Sequence, residues 1–494
     1  MFRMKWIRHL GRRVALPGIL AFVLAMTAGC VTVGPDYRPP DLSTPAAWNN
    51  EVREGNGTAE NGSGTADPWW NTLNDATLSS LMERAVAGNL DLRKARARVR
   101  EARAQRGVAQ AGYFPTLGAT GTATRSRSSE ETGTGETGVL YSTGFDAGWE
   151  LDVFGGVRRS VEASDATLQA TQESLHDVLV TLLAEVALNY TEVRTWQARI
   201  AAAEANLKTQ EETFQLTSWR QQAGLSDDLA VRQARYNLEN TRSQLPVLRT
   251  GLEEAQNRIA VLLGEQPGKV HGELSERKPI PVASAGIALG VPAEALRNRP
   301  DVRKAERELA AQTAKIGVAT ADLYPRFRLN GSIGVDSTLI GRLFTSGTYS
   351  WSFGPQITWT IFDGGAIRRN IEAQTALQEQ YLIAYEAAVL GALEEAENAI
   401  RAYAEEQIRR KSLIEATRAS EEAARLAKLK YQAGLTDFST VLDAERSLLT
   451  FQDSLAQSEG AIASNLIKLY KALGGGWKSL VPDGTTSPKS GERK

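Results

Sequence analysis

The chain has 494 residues, 57 Lys and Arg against 58 Asp and Glu, 42% apolar residues, one cysteine, three histidines and four methionines. The apolar fraction is that of a folded chain, while so few thiols and imidazoles exclude a disulfide framework and offer no Cys/His metal box. Arg3, Lys5, Arg8, Arg12 and Arg13 all fall before position 30; without them the balance is 52 against 58, about −6, which gives no electrostatic case for nucleic acid as a partner.

In chain order, the basic start is followed by the apolar run Val14–Met26 and by Thr27-Ala28-Gly29-Cys30. This pattern predicts a signal peptide over 1–29, its apolar run being shorter than the ~20 residues a spanning helix needs. The small residues before the single thiol resemble the lipobox of bacterial lipoproteins, with Thr27 where leucine is usual. That resemblance implies cleavage before Cys30, acylation of Cys30, and sorting to the outer membrane, because Val31 rather than aspartate follows.

The rest of the chain is a duplication with a fixed offset of 210 residues. Asn89-Leu90-Asp91-Leu92-Arg93-Lys94-Ala95 recurs as Arg299-Pro300-Asp301-Val302-Arg303-Lys304-Ala305. Pro115, Trp149, Gly155 and Gln222-Ala223-Gly224-Leu225 recur as Pro325, Trp359, Gly365 and Gln432-Ala433-Gly434-Leu435. Two repeats, 79–264 and 289–474, are therefore expected to share one structure. The segments 30–78, 265–288 and 475–494 lie outside them and read as connectors.

Each repeat contains two stretches of period-two alternation, the signature of one-faced strands. Leu117, Ala119 and Ala123 alternate with threonines, and Tyr141, Phe145, Ala147, Trp149 and Leu151 with Ser142, Asp146 and Glu150. In the second repeat Phe327, Leu329, Ile333 and Val335 are answered by Trp351, Phe353, Ile357, Trp359 and Ile361. Loops 125–140 and 337–349 close two hairpins. The lengths suit tilted membrane strands, and the aromatics Tyr141, Phe145, Trp149, Trp351, Phe353 and Trp359 suit a lipid-facing side. A one-faced sheet over a soluble core is the other reading. Because four strands cannot enclose a barrel, the membrane reading requires a barrel shared between chains.

Between the hairpins the pattern is helical. Val157 to Ala223 contains neither proline nor glycine, and its apolar residues recur every three or four positions. Segment 366–433 matches it, so each repeat carries a helix of more than 60 residues, turned at Gly224 or Gly434 into a return helix that ends at Leu263-Gly264 or Leu473-Gly474. Pro246 is expected to interrupt the first return helix only.

At this point the chain resembles the TolC-like outer-membrane factors, in particular the lipoprotein branch that serves RND-type multidrug pumps. The resemblance is carried by Cys30 with Gly34-Pro35-Asp36-Tyr37, Trp69-Trp70, Tyr113-Phe114-Pro115, Leu323-Tyr324-Pro325, Tyr431-Gln432-Ala433-Gly434 and Val441-Leu442-Asp443-Ala444. It implies a mainly α fold with a small transmembrane β part. The expected assembly is a homotrimer with a 12-stranded barrel continuous with a long periplasmic α-helical barrel. It implies a passive exit duct that needs no cofactor or metal, embedded in outer-membrane lipid and served by an inner-membrane pump. A periplasmic adaptor would dock on the tips Gly224-Leu225-Ser226 and Gly434-Leu435-Thr436. The Val-Leu-Asp-Ala match implies a periplasmic gate at Asp443, whose alternative role is an exposed helix aspartate balanced by Arg446. An aspartate–arginine latch found in some relatives is missing, since Ala230 and Thr436 stand at those positions.

No catalytic constellation emerges. His176 lies within a long helix and His271 in a connector, with no cysteine partner. Met82 is the sole methionine beyond the signal segment, which argues against a thioether-lined metal path. Two alternatives remain, a type I protein-secretion channel of the same fold and a structural coiled-coil lipoprotein spanning the periplasm. The second has no use for two tryptophan-bearing hairpins.

Overall fold

A computed structural model describes residues 32–41, 45–50, 68–282, 292–477 and 480. Cys30 and the signal segment lie outside the described residues. In order, the elements are a 3-10 turn Trp69–Leu73, α1 (Ala76–Gly88), α2 (Leu90–Ala111), β1 (Thr116–Arg127), β2 (Thr137–Leu151), α3 (Gly156–Gln222) and α4 (Asp228–Leu262). They continue with α5 (His271–Leu274), α6 (Pro292–Asn298), α7 (Pro300–Ala321), β3 (Arg326–Ser337), β4 (Tyr349–Thr358), α8 (Ala366–Gln432) and α9 (Phe438–Ala472). The chain divides into two compact bodies. Among the described residues, one comprises 32–41, 99–171 and 304–385, and the other 45–50, 68–98, 172–282, 292–303, 386–477 and 480.

The first body holds a four-stranded antiparallel sheet in the order β1-β2-β3-β4. Its register places Phe145 beside Ile333 and Ile333 beside Trp351; one step along, Leu117, Ala147, Gly331 and Phe353 form the next row. The hairpins thus form as the alternation requires, with the first loop narrowed to 128–136 because β1 and β2 extend further than expected. One boundary differs: β4 ends at Thr358, so Trp359 and Ile361 lie past the strand. The cause is local. The Trp359 indole Nε1 donates to the Leu323 carbonyl at 3.0 Å, and Asp363 accepts from the Gly365 and Ile367 amides to start α8. Trp149 makes the duplicate bond, to the Tyr113 carbonyl at 3.0 Å.

The second body is helical. Its largest apolar cluster gathers Trp69, Trp70, Met82, Tyr190, Ile259 and Trp477 among others. The segments read as connectors therefore also supply core residues. Trp477 is 3% exposed, stacks on His176 at 4.2 Å between ring centroids, and donates its Nε1–H to the Asn298 carbonyl. The expected break at Pro246 does not occur: α4 runs through it. Leu245 and Leu248, flanking the proline, are buried against Ile200 and Ala203, and this packing holds the helical path despite the missing amide donor. The duplication persists even where residue types diverge. Asn89 Nδ2 donates to the Leu262 carbonyl and Arg299 Nη1 to the Ala472 carbonyl, both at 2.8 Å, so two different side chains anchor the same helix junction.

Among the described residues no helix is long and apolar enough to cross a membrane.

Candidate functional site

The two faces of the sheet differ in kind. Residues of one parity, including Leu117, Tyr141, Phe145, Trp149, Trp351 and Phe353, share the apolar face by register. Trp351 and Phe353 are 72% and 73% exposed in the single chain. The opposite face is a polar ladder. Thr120 Oγ1 donates to Asp146 at 3.0 Å, Asp336 accepts from Ser142 and Ser350, Asn330 donates to Gln356 at 2.7 Å, and Ser332 bonds Ser352 at 2.8 Å. The strands run 12, 15, 12 and 10 residues, sufficient for a tilted strand to cross a bilayer, which takes ~9–11. An exposed apolar face with aromatic rings and a hydrogen-bonded polar face is the division a barrel makes between lipid and lumen. The outer edges of the sheet, β1 and β4, have no partner strand among the described residues.

In the helical body both tips close by one chain-reversal chemistry. Gly224 and Gly434 each sit at φ +71°, a region where a side chain meets its own carbonyl. The Leu225 amide donates to the Arg220 carbonyl at 2.8 Å and the Gly224 amide to Gln221; the Leu435 amide donates to Lys430 at 2.9 Å and the Gly434 amide to Tyr431. This 6→1 and 5→2 pairing is a Schellman motif, which satisfies carbonyls the helix leaves open. Past the first turn, the Asp227 side chain accepts from the Ala230 amide and caps α4. Leu225 and Leu435 are left 66% and 76% exposed, and Trp219 nearby is 60% exposed. Thr436 donates to Thr440 at 3.0 Å, and Ser226 lies 3.4 Å from the Tyr431 hydroxyl.

Asp443 is exposed on α9, and its backbone carbonyl accepts from Ser447. Arg446 does not balance it. The guanidinium instead donates to the Tyr236 hydroxyl at 2.9 Å and to Asn237 at 3.3 Å, lying over the Tyr236 ring. Ala230, where a latch aspartate would stand, is buried with Ala427, Tyr431, Phe438 and Val441.

The helical tip region contains groups that pattern reading passed over. Glu445 is buried and accepts from Thr213 Oγ1 at 2.8 Å. Burial pushes its carboxyl above the usual range, opposed by the Thr213 hydrogen bond and the Lys428 charge. The signal was present, because Glu445 continues the stripe of Phe438, Val441 and Leu442, where a charge is out of place. Arg220 donates to the Gln432 carbonyl at 3.0 Å and covers the Tyr431 ring, joining the two tips without an acidic partner. Of the described histidines, His176 contacts Glu173 and His271 contacts Glu253. Among the described residues no group of three or more His, Cys, Asp or Glu could hold a metal ion.

The two-faced sheet and the duplicated helical hairpins are the parts of a channel-forming outer-membrane class. The family model for outer membrane efflux proteins matches residues 81–265 and 291–475, and the chain belongs to that family. It is similar to nodulation protein T of Rhizobium leguminosarum bv. trifolii, 33% identical over 94% of this chain and 98% of that one. The solvent efflux pump outer membrane protein SrpC of Pseudomonas putida is 32% identical over 92% of this chain and 97% of its own length. Among solved structures, the outer-membrane channel OprN is 38% identical with a TM-score of 0.85, over 90% of this chain and all of that one. The chain is accordingly an outer-membrane channel of an efflux system.

Proposed function

We propose that three copies of the chain close one 12-stranded barrel and serve as the passive exit duct of a tripartite pump for small molecules. The observation that carries this reading is the sheet, apolar on one face, polar on the other and unpaired at both edges. A sheet in lipid cannot keep free edges, and the smallest known barrels have about eight strands, so four strands call for further copies. The resemblance of the sequence motifs makes the number three. An inner-membrane RND-type pump supplies the energy, and a periplasmic adaptor contacts the exposed Leu225 and Leu435 at the tips. Asp443, repeated about the threefold axis near the end of the helices, forms the periplasmic gate. Cys30 carries the lipid anchor. The solvent efflux pump relative supports small-molecule cargo rather than protein, so the secretion channel is the second reading.

Light scattering in detergent and planar-bilayer recording test the proposal together. The expected result is a trimer whose insertion gives discrete conductance steps. A monomer that retains its β signal in lipid vesicles and conducts nothing would refute the shared barrel.

A further inference from the structure

In the sheet-bearing body the helices follow the strands: α2 enters β1, α3 leaves β2, α7 enters β3 and α8 leaves β4. Neighbours in the sheet continue as neighbours among the helices. Arg106 of α2 pairs with Asp165 of α3, Ala166 of α3 packs on Ala310 and Ala311 of α7, and Gln312 of α7 donates to Gln374 of α8 at 2.8 Å. That leaves α2 and α8 as the outer helices, one at each sheet edge. By the 210-residue duplication, α2 is the copy of α7 and α8 the copy of α3. The contact between α3 and α7 inside one chain therefore has a counterpart, α8 with α2, that no single chain can make.

The burial pattern marks that missing contact. Ala310, Thr313 and Gly317 of α7 are buried, while their copies on α2, Arg100, Arg103 and Gly107, are exposed. Likewise Arg159, Ala163 and Ala166 of α3 are buried and their copies Arg369, Ala373 and Ala376 are exposed. One detail is specific. Arg159 lies across Gly317 so closely that a Cβ there would come within 2.7 Å of Arg159 Cγ, while Gly107 has nothing within 4 Å of the equivalent point. One of the arginine's partners is duplicated too: Arg159 pairs with Glu162 at 2.7 Å and Arg369 with Glu372 at 2.6 Å, whereas Asp36 at 2.7 Å and the Val33 and Gly34 carbonyls, which also hold Arg159, belong to a segment outside the repeats and contribute to its cover. Yet the side chain of Arg159 is 4% exposed and that of Arg369 80%.

We propose that Gly107 is a socket for Arg369 of a second copy of this chain, at the centre of a seam in which α8 of one protomer packs on α2 of the next. The proposal rests on the shared barrel, because closing the sheet brings β4 of one copy beside β1 of the next and so α8 beside α2. Charge complements shape along the seam. Glu379 is the copy of Gln169, which accepts from Arg307 of α7 at 3.3 Å; the equivalent place on the neighbour's α2 lies within a turn of Arg100. Small residues, Ala166 against Ala310 and Ala311, fill the internal contact, whereas Arg100 and Glu101 stand at the copied positions of α2. The internal seam is thus packed by alanines, and the seam between copies is keyed by charge, which rewards correct register and discourages wrong pairing.

The test uses the full-length protein purified as it assembles in detergent. The paired variant Gly107→Cys with Arg369→Cys, under mild oxidation, should run as a covalent trimer on denaturing gels, since the close approach suits disulfide geometry. Each single variant should run as a monomer. In the otherwise unaltered chain, Gly107→Leu should lower the temperature at which trimers dissociate, and adding Arg369→Ala should restore part of the loss by vacating the socket. Arg100→Glu should weaken trimers and Glu379→Arg, added to it, should recover them. Trimers, verified by light scattering, that fail to cross-link and tolerate Gly107→Leu would overturn the seam and leave the shared barrel standing. An unaltered chain that is monomeric would overturn both.

Discussion

Asp443 and Glu445 lie two residues apart on α9 and have opposite surroundings. Asp443 faces solvent, and the arginine expected to neutralise it is engaged with Tyr236 and Asn237. An unbalanced carboxylate repeated about a symmetry axis attracts cations and repels anions. Asp443→Ala is therefore expected to lower the cation-to-anion permeability ratio and weaken block by divalent cations in bilayer recordings. Unchanged selectivity would assign closure to helix packing elsewhere. Glu445 is held between helices, and burial raises its carboxyl above the usual range. A raised folded-state value means the folded protein holds the proton more tightly than the unfolded chain. The stabilising contribution is complete below the ordinary carboxylate range and is lost as pH rises through the folded value. Glu445→Gln keeps the hydrogen bond to Thr213 and removes the charge, so the melting temperature should depend less on pH as pH rises from the ordinary carboxylate range. A pH profile that matches the unaltered protein would show that Glu445 ionises freely.

Elements add a constraint the residues alone do not. The Schellman closures at Gly224 and Gly434 fix where Leu225 and Leu435 project, because each leucine amide is bound back to a carbonyl five residues earlier. Both leucines are left exposed, and two exposed leucines on rigid turns suit an apolar contact with an adaptor. Burying one leucine is worth ~1.5–3 kcal/mol, so Leu225→Asp and Leu435→Asp should each weaken adaptor binding about tenfold or more. Trimer yield and conductance should be unaffected, since neither side chain packs in a core. Surface plasmon resonance against the purified adaptor reads the effect, and equal affinity in the double variant would move the docking surface away from the tips.

For the whole molecule, the relation between lipid anchor and barrel sets what Cys30 contributes. A single acyl chain holds a protein only marginally, while several give stable attachment; a barrel with a complete aromatic and aliphatic outer face needs neither. Cys30→Ser is accordingly expected to slow assembly, with more unassembled chain in the soluble periplasmic fraction, and to leave the conductance of assembled trimers unchanged. Mass spectrometry of the unaltered mature N-terminus should show an acylated cysteine, and an unmodified peptide running through Ala28-Gly29-Cys30 would remove the anchor.

What the sequence determined by itself was everything carried by periodicity and repetition. Alternation at Phe145, Trp149, Trp351 and Phe353 specifies strands with one apolar face, because side chains in a strand point to opposite sides. The glycines at 224 and 434 specify the helix turns, because few other residues tolerate their backbone angles. The fixed offset specifies two matching halves, and the ordered motifs specify the family. Tertiary structure alone decided the pairings between segments distant in the chain. It carried α4 through Pro246 by packing Leu245 and Leu248, turned Arg446 toward Tyr236 instead of Asp443, and brought Trp477 onto His176. It also showed which copies of duplicated residues are covered and which are bare, as with Arg159 and Arg369. The physical reason is that local pattern records the backbone and the face a residue prefers, whereas partners are chosen by which surfaces remain uncovered once the chain has folded.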